Sequence, residues 1–111
     1  MHIVISTFAI PDRVSRAELV EKFGQSAPIY RDLEGLISKH YLLGDGHETA
    51  GGVYVFSSRA DADAWFTPEK IAWAEDRFGQ VTLQHFDVPI NLTTAPPDIH
   101  VHPSHMPPKK D

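Results

Sequence analysis

The fold is decided by one stretch in the middle of the chain, Leu36–Phe56, which reads LISKHYLLGDGHETAGGVYVF. It contains two runs rich in apolar, aromatic and β-branched residues, Leu36–Leu43 and Gly51–Phe56. Between them lies a polar segment with Asp45-Gly46 at its tip. Two such runs around an Asp-Gly turn are typical of a β-hairpin. The stretch therefore predicts two neighbouring antiparallel strands.

One strand and one helix are predicted on each side of this hairpin. The first strand is His2–Phe8, bounded by Pro11, and the last is Val81–Val88, ended by Pro89. The order strand, helix, strand, strand, helix, strand is the ferredoxin-like pattern of α+β proteins. We therefore expect one antiparallel sheet covered by helices on a single face.

Both helices carry capping signals, and both are predicted to be broken. Ser15 and Glu18 have the spacing of a capping box, while Gly24 and Pro28 indicate a stop and a restart. The second helix begins with Ser58 as its cap, restarts at Thr67-Pro68 and ends at Gly79. A break in a helix leaves room beside the sheet, so the second break is the expected entrance to a pocket.

Length and composition fit one small domain followed by a tail. The chain has 111 residues, no cysteine and a formal net charge of −5. We expect a folded domain over residues 1–89 and a tail over residues 90–111 that contains five prolines and three histidines. Asn91–Thr93 are the last residues expected to form a strand. The tail histidines His100, His102 and His105 are of a type that binds metals, but they lack a scaffold, so no metal site is predicted.

The charge pattern excludes several classes of partner. An acidic body without a Lys/Arg cluster lacks the electrostatic footprint of a nucleic-acid binder or of a protein drawn to anionic membranes. The apolar N-terminus is too short to span a bilayer and has no basic segment before it, so we expect a cytoplasmic protein.

The absence of cysteine excludes disulfides, Cys-ligated metals and thiol nucleophiles.

The strands are apolar on both faces, which predicts an assembly. Helices can cover only one face, and a second copy of the same sheet is the simplest cover for the other. We therefore expect a face-to-face homodimer, the alternative being a monomer whose open face is covered by the tail. The expected pairs of opposite faces are Leu36, His40 and Leu42 against Ile37, Tyr41 and Leu43, and Val53 and Val55 against Tyr54 and Phe56.

Several short blocks, in order, carry a family resemblance over about residues 3–88. They are Phe23 with Ala27–Tyr30, Gly35–Leu42, Gly51–Phe56, Ser58–Ala60 and Trp65–Pro68. Together they resemble the YdhR-like monooxygenases of the dimeric α+β barrel superfamily. The resemblance implies a ferredoxin-like protomer, a barrel formed by two sheets across a dimer interface, and a pocket between sheet and helices.

The resemblance implies a function in outline. The expected activity is a cofactor-independent monooxygenation of a small aromatic or polyketide-like substrate, with no cofactor and no metal. Two alternatives remain open. One is a non-catalytic ligand-binding or stress-response dimer that uses the same pocket, and the other is an isomerase or haem-binding member of the superfamily.

Oxygenation without a cofactor needs a base and a dry apolar cavity. A histidine is the natural base near neutral pH, and His40 and His85 are the two strand histidines well inside the body. The alternative, which is favoured for each of them, is a histidine hydrogen-bonded at the sheet or at the dimer seam. The expected substrate-binding residues are aromatic, and most of them also suit a core: Tyr41, Tyr54, Trp65, Phe66 and Trp73.

Lys39 stands on a strand expected to be buried, where a lone ammonium is costly. It either anchors an acidic substrate or forms an ion pair, and Asp87 is the predicted partner. Gly51-Gly52 begins a strand with no helix directly after it, so it does not match a nucleotide-binding loop. We expect it to permit a bulge or a close approach of backbones.

Overall fold

A computed structural model describes residues 1–46 and 48–94, together with the backbone of residues 97–101. The four strands and two helical regions expected in the body are all present, and the ferredoxin-like order is confirmed. The elements are β1 (His2–Ala9), α1 (Arg16–Arg31), β2 (Leu36–Leu43), β3 (Thr49–Phe56), α2 (Arg59–Trp65), α3 (Pro68–Phe78), β4 (Val81–Asp87), β5 (Ile90–Thr94) and β6 (Pro97–Val101).

The four strands of the body form one antiparallel sheet in the order β2-β3-β1-β4. Residues directly opposite each other in an antiparallel sheet point to the same face. One such row crosses the whole sheet and consists of Lys39, Tyr54, Val4 and His85. This row lies on the face that the helices cover.

The core lies between the covered face and the helices. Val4 and Phe56 are completely buried there, and Ala62 of α2 packs against them. On the opposite face Ile3, Ile5, Val53 and Val55 are only partly buried. The structure thus confirms that the helices cover one face and leave an apolar face open.

A bulge in β2 changes the predicted faces of that strand. Leu36 pairs with Phe56, but Ser38 pairs with Val55, so Ile37 is an extra residue. An extra residue reverses the alternation on one side of it. Leu36 therefore shares the covered face with Tyr41 and Leu43, whereas the predicted alternation placed it with His40 and Leu42, which lie on the open face.

The first helix is continuous, and its predicted break is wrong. Ser15 caps α1 as predicted, because its hydroxyl accepts the Glu18 N–H at 3.1 Å. Pro28 lies inside the helix. It removes one backbone hydrogen bond, but packing of the next turn against the sheet outweighs that loss, since Tyr30 contacts the rings of Tyr54 and Trp65.

The break in the second helix is confirmed. Helix α2 ends at Trp65 and α3 begins at Pro68, with Thr67 as its cap. The Thr67 hydroxyl accepts the N–H of Lys70 at 3.3 Å. Pro68 stands in the first turn, where the missing N–H costs no helical hydrogen bond.

The predicted close approach at the glycine pair is confirmed at Gly51. A Cβ atom there would collide with the backbone carbonyl of Ser6 on the neighbouring strand. The bulge of the sheet lies in β2, not at this pair. Glycine at position 51 thus lets β3 approach β1 closely.

The chain continues past Pro89 into a second, two-stranded sheet. Strand β5 pairs antiparallel with β6, with Leu92 opposite Ile99. The expectation that no strand follows Thr93 is therefore wrong. Pro97 is the first residue of β6, a position where its missing N–H is tolerated. The boundary between a domain at 1–89 and a tail at 90–111 stays a prediction, and the side chains of His100, His102 and His105 lie outside the described residues.

None of the helices in the described part of the chain combines the length and the apolar character that a bilayer-spanning helix requires.

Candidate functional site

A cleft of about 220 Å³ lies between the last turns of α1 and the edge strand β2. Such a volume is below the roughly 300–1,000 Å³ of sites for drug-sized ligands, so it suits a compound of one or two rings. Both of its charged lining residues are cationic. The lining residues are Ala27, Tyr30, Arg31, Leu36, Ile37, Ser38, Lys39 and Tyr41.

The amine of Lys39 lies among three tyrosine rings in this cleft. Its Nζ is 3.4 Å from the ring centroid of Tyr30, 4.2 Å from that of Tyr41 and 4.5 Å from that of Tyr54. The faces of aromatic rings attract a cation. The three rings therefore hold the amine in one place from three different elements, α1, β2 and β3.

Burial changes the protonation of this group. Desolvation lowers the pKa of Lys39 from 10.5 to about 7, because the charged form loses its water shell. The ring faces act in the opposite direction, since they stabilise the ammonium. An amine that titrates near neutral pH can take up and release a proton under working conditions.

The phenols of Tyr30 and Tyr54 stay protonated at neutral pH. Burial raises the pKa of Tyr54, and the neighbouring Tyr30 adds to the effect. Burial likewise raises the pKa of Tyr30. Tyr30 and Tyr54 consequently act as neutral walls and hydrogen-bonding groups beside the amine of Lys39.

Tyr41 is fixed from the side of α1. Its hydroxyl lies 2.6 Å from the Ser26 hydroxyl, which itself donates to the backbone carbonyl of Phe23 at 2.9 Å. Because the one hydroxyl proton of Ser26 goes to that carbonyl, Tyr41 is the donor in the pair. The ring of Phe23 stacks on Tyr41 with centroids 4.7 Å apart. The cleft wall is thereby preorganised.

Gly52 makes room for the lysine side chain. A Cβ atom at this position would lie 3.3 Å from Cε of Lys39 and 3.3 Å from the ring of Tyr54. Both contacts would be tight. Any residue larger than glycine must therefore push the lysine stem or the ring aside.

The predicted substrate-binding residues form one aromatic cluster, but not all of them line the cleft. Tyr41 lines it, and Tyr54 lies beneath the lysine with 8% of its surface exposed. Trp65 contacts Tyr30 with ring centroids 5.4 Å apart. Phe66 packs edge-on against Tyr54 at 4.9 Å, so it fills the helix break. The predicted entrance at this break is therefore wrong, and the cleft opens beside α1 instead.

Trp73, also considered for the pocket, is outside it. Its side chain is 57% exposed on α3 and stacks with Arg77, whose guanidinium carbon is 3.8 Å from the ring centroid.

His40 lies away from the other predicted site residues. It pairs with Val53 on the open face of the sheet and is exposed. The expectation that it lines the same pocket as Tyr54 is therefore wrong. The reason is the pleat: a residue next to Lys39 must point to the opposite face.

His85 shares the covered face with Lys39 but lies at the other edge of the sheet. Three strand spacings of about 4.8 Å put roughly 14 Å between the two backbones. Its Nδ1 is 2.8 Å from Nε2 of the buried His2. Desolvation is the main cause that lowers the pKa of His85. It thus belongs to a separate histidine pair and not to the cleft.

The predicted ion pair between Lys39 and Asp87 is wrong. Strands β2 and β4 are the two edges of the sheet, so these residues are far apart. Asp87 lies 3.9 Å from Nδ1 of His2 instead. Within the described residues no carboxylate forms an ion pair with Lys39.

A second hollow, of about 420 Å³, lies at the far ends of β1 and β4 beside Phe78. It has no ionisable side chain in its lining, so it offers nothing for acid–base chemistry. In the described part of the chain no three histidine or carboxylate side chains converge as metal ligands. The cleft at Lys39 is therefore the candidate site.

Sequence reasoning considered Lys39 as an anchor but missed Tyr30 and Arg31 as its companions. A helix expected to stop at Gly24 and restart at Pro28 leaves the direction of its second piece undefined, so Tyr30 and Arg31 could not be aligned against β2 from the sequence.

Solved structures with the same fold are known. A structure of a MhuD mutant with two manganese protoporphyrin IX molecules bound per active site is 20% identical, with a TM-score of 0.65, and the match covers 84% of this chain and 99% of that one. A structure described as a "putative antibiotic biosynthesis monooxygenase" from Deinococcus radiodurans is 11% identical, with a TM-score of 0.62, and the match covers 79% of this chain and 92% of that one. A mutant of SnoaB, a cofactor-independent oxygenase from Streptomyces nogalater, is 14% identical, with a TM-score of 0.59 and coverage of 78% and 91%.

These similarities place the protein in a structural class, the ferredoxin-like dimeric α+β barrel fold. A search of curated proteins found no match. The family model described as "Putative mono-oxygenase ydhR" matches residues 6–96, well over half of the chain. The chain therefore belongs to the YdhR monooxygenase family.

Proposed function

We propose that the protein is a cofactor-independent monooxygenase that oxidises a small phenol or polyketide-like aromatic in the cleft between α1 and β2. The observation that carries this proposal is the position of the Lys39 amine among the rings of Tyr30, Tyr41 and Tyr54. A base that titrates near pH 7 in an aromatic cleft is what the reaction requires.

The reaction balances without an external reductant. Lys39 takes the phenolic proton, and the electron-rich phenolate reduces O₂. Formation of one carbon–oxygen bond gives a hydroperoxide, and cleavage of its O–O bond with loss of water leaves a quinone. For 1-naphthol the sum is naphthol plus O₂ giving naphthoquinone plus water. One oxygen atom enters the product, and the substrate supplies all four electrons.

Tyrosine walls suit this sequence of steps. Their rings provide a flat apolar surface for the aromatic substrate and exclude water from the base. The Lys39 ammonium that forms after proton transfer is stabilised by the same ring faces, and it is then an acid beside the developing peroxide. The proposal thus assigns one residue to both proton transfers.

The test is oxygen uptake with 1-naphthol, together with mass analysis of the product formed under isotopically labelled oxygen. The expected product carries one labelled atom. Lys39→Met should reduce turnover by about 10²-fold or more, the range for loss of a general base. Lys70→Met is the matched control, since Lys70 also stacks on an aromatic ring, 3.6 Å from the centroid of Trp65, but outside the cleft.

The same assay tests the histidines expected from the sequence. His40→Ala and His85→Ala should leave turnover near that of the unchanged protein, because neither side chain reaches the cleft. A large loss in either, with Lys39→Met active, would contradict the assignment to Lys39. Binding of 1-naphthol without any oxygen uptake would favour the alternative of a non-catalytic ligand-binding protein.

We further propose a homodimer formed through the open face of the sheet. Ile3, Ile5, Val53 and Val55 form an apolar surface there that the helices do not cover, and Phe86 extends it at the β4 edge with 46% of its surface exposed. Apolar surface of this kind is typical of protein interfaces. The open face of the four-stranded sheet in an identical copy is complementary to it.

A further inference from the structure

The charges of the cleft oppose those of the molecule as a whole. The chain has a formal net charge of −5, yet the charged residues lining the cleft are Arg31 and Lys39, with no acidic residue among the described lining. In the described part of the chain neither residue forms an ion pair with a carboxylate. Arg31, together with Lys39 when its amine is protonated, gives the cavity an electrostatic preference for an anion.

The two cations stand at different depths. Arg31 is exposed on the last turn of α1, at the rim, whereas Lys39 is partly buried among the tyrosines. A guanidinium offers a planar fork that matches a carboxylate in a bidentate pair. Ile37 is 55% exposed and Tyr41 is half-buried, and both line the cleft with Arg31, so an apolar surface for a ring adjoins the cation.

We infer that the cleft selects an aromatic carboxylate, with the carboxylate on Arg31 at the rim and the ring directed toward Lys39. The inference deepens the proposed function, because it uses the same cleft and names the substrate class as a hydroxylated aromatic acid. Arg31 is then a specificity-determining residue, and Lys39 keeps its separate role at the hydroxyl.

Binding of 1-naphthoate and of its neutral analogue 1-naphthamide, measured by calorimetry under anaerobic conditions, tests the inference. The two probes have nearly the same shape and differ in charge. We expect 1-naphthoate to bind at least about tenfold tighter at low salt, as for one charge-assisted pair, and the difference to shrink as salt screens the rim. Equal affinities would overturn the inference.

Variants assign the preference to the rim. Arg31→Gln should remove most of the discrimination by weakening naphthoate binding far more than naphthamide binding, and Arg31→Lys should restore only part of it, because a lysine lacks the planar fork. Arg77→Gln is the matched control, an exposed arginine near the end of α3 outside the cleft. Full discrimination in Arg31→Gln would contradict the assignment to Arg31.

A pH series separates the contributions of the two cations. The groups facing the Lys39 amine are Tyr30 and Arg31 from α1, Tyr41 from β2 and Tyr54 from β3. Because arginine side chains are not deprotonated in proteins, the preference for naphthoate should persist at pH 9, reduced by the share that the Lys39 ammonium adds at pH 6. A preference that disappears entirely at pH 9 would assign anion binding to Lys39 alone and overturn the role of Arg31.

The outcome is independent of turnover. Anion preference with no oxygen uptake from any phenol would leave this inference standing and contradict the monooxygenase. Oxygen uptake with no preference between the two probes would support the monooxygenase activity and overturn the inferred anion preference.

Discussion

Nζ of Lys39 lies 3.4 Å from the ring centroid of Tyr30, and this contact joins the edge strand β2 to the last turns of α1. It explains why the first helix continues through a proline. Tyr30 follows Pro28 by two residues, so a helix that ended earlier would leave the lysine with only the two rings of the sheet, Tyr41 and Tyr54. The candidate site therefore depends on the continuity of α1 through Pro28.

Lys39 should make the stability of the protein depend on pH above neutrality. Burial lowers the pKa of its amine to about 7 in the folded protein, against 10.5 ordinarily. Between these values the unfolded chain binds more protons than the folded one, so the free energy of unfolding should rise as pH increases. Thermal unfolding from pH 7 to 9.5 should show a rising Tm. At higher pH the rise in Tm should end, because Tyr30 and Tyr54 have raised pKa values in the folded protein and their titration lowers the free energy of unfolding as pH increases.

Lys39→Met should remove this rise, and the Lys70→Met control should retain it. A direct measurement is the NMR titration of the Lys39 side-chain carbons, with a midpoint expected near pH 7. A midpoint near 10 would contradict the lowered pKa and, with it, the role of Lys39 as a base.

The two adjacent glycines of β3 should respond differently to the same substitution. Gly51→Ala places a methyl group against the backbone carbonyl of Ser6, and backbone in a central strand pair cannot move aside cheaply. Gly52→Ala meets Cε of Lys39 and the Tyr54 ring at 3.3 Å, and the lysine stem can shift. We expect Gly51→Ala to lower Tm markedly, while Gly52→Ala folds but loses turnover because Lys39 is displaced.

Gly24→Ala serves as the control for these variants. Its added methyl group meets no neighbouring atom, and alanine is the better helix former by roughly 0.5–1 kcal/mol. It should therefore leave the stability unchanged or raise it. Equal losses of stability in Gly51→Ala and Gly52→Ala would show that the lysine stem is held rigidly.

Most of the fold could be predicted from the sequence, because it depends on local signals. The hairpin, the cap at Ser15, the break at Thr67-Pro68 and the close approach at Gly51 each follow from a few neighbouring residues. The continuity of α1 could not be predicted, because it depends on contacts of Tyr30 with distant strands. That packing outweighs the local stop signal at Gly24 and the restart signal at Pro28.

The site was less predictable than the fold for a geometric reason. One extra residue at Ile37 reverses the faces of the strand on one side of it, and no local signal marks the bulge. The predicted alternation therefore put Leu36 with His40 instead of with Tyr41. The aromatic cluster was foreseen from composition, but its pairing with Lys39 required the register of β2 against β3.

A charge on the open sheet face should separate the proposed dimer. Val53 is a partly buried residue of the inner strand β3 on that face, opposite Ile5 and His40. Val53→Asp places a carboxylate in a dry interface, which costs several kcal/mol by order of magnitude. Sedimentation should give a dimer for the unchanged protein and a monomer for the variant at micromolar concentration.

Gln25→Asp is the matched control, since it adds the same charge at an exposed position of α1 away from the sheet. It should sediment as a dimer. A monomeric unchanged protein at micromolar concentration would contradict the proposed assembly, as would a dimer that persists in Val53→Asp.

The histidine pair at the other edge of the sheet should make the protein less stable in mild acid. His2 and His85 share a hydrogen bond of 2.8 Å, in which one ring nitrogen must accept while the other donates. Desolvation lowers the pKa of His85 in the folded protein, and the charges of Arg59 and His2 lower it further, while Asp63 raises it. Below pH 6.5 the unfolded chain therefore binds the His85 proton more readily than the folded protein. The free energy of unfolding should keep its full value above pH 6.5 and fall as the pH drops toward the pKa of His85 in the folded protein.

The charges around His85 give this prediction a direct test. Arg59 and Asp63 form an ion pair at 3.1 Å, so removing either one leaves the other uncompensated. Asp63→Asn should lower the midpoint of the His85 imidazole titration measured by NMR, and Arg59→Gln should raise it. In thermal unfolding from pH 7.5 to 5, His85→Gln should flatten the acid loss of Tm. An unchanged acid loss in that variant, or shifts of the NMR midpoint in the same direction for both charge variants, would contradict the electrostatic account of this pair.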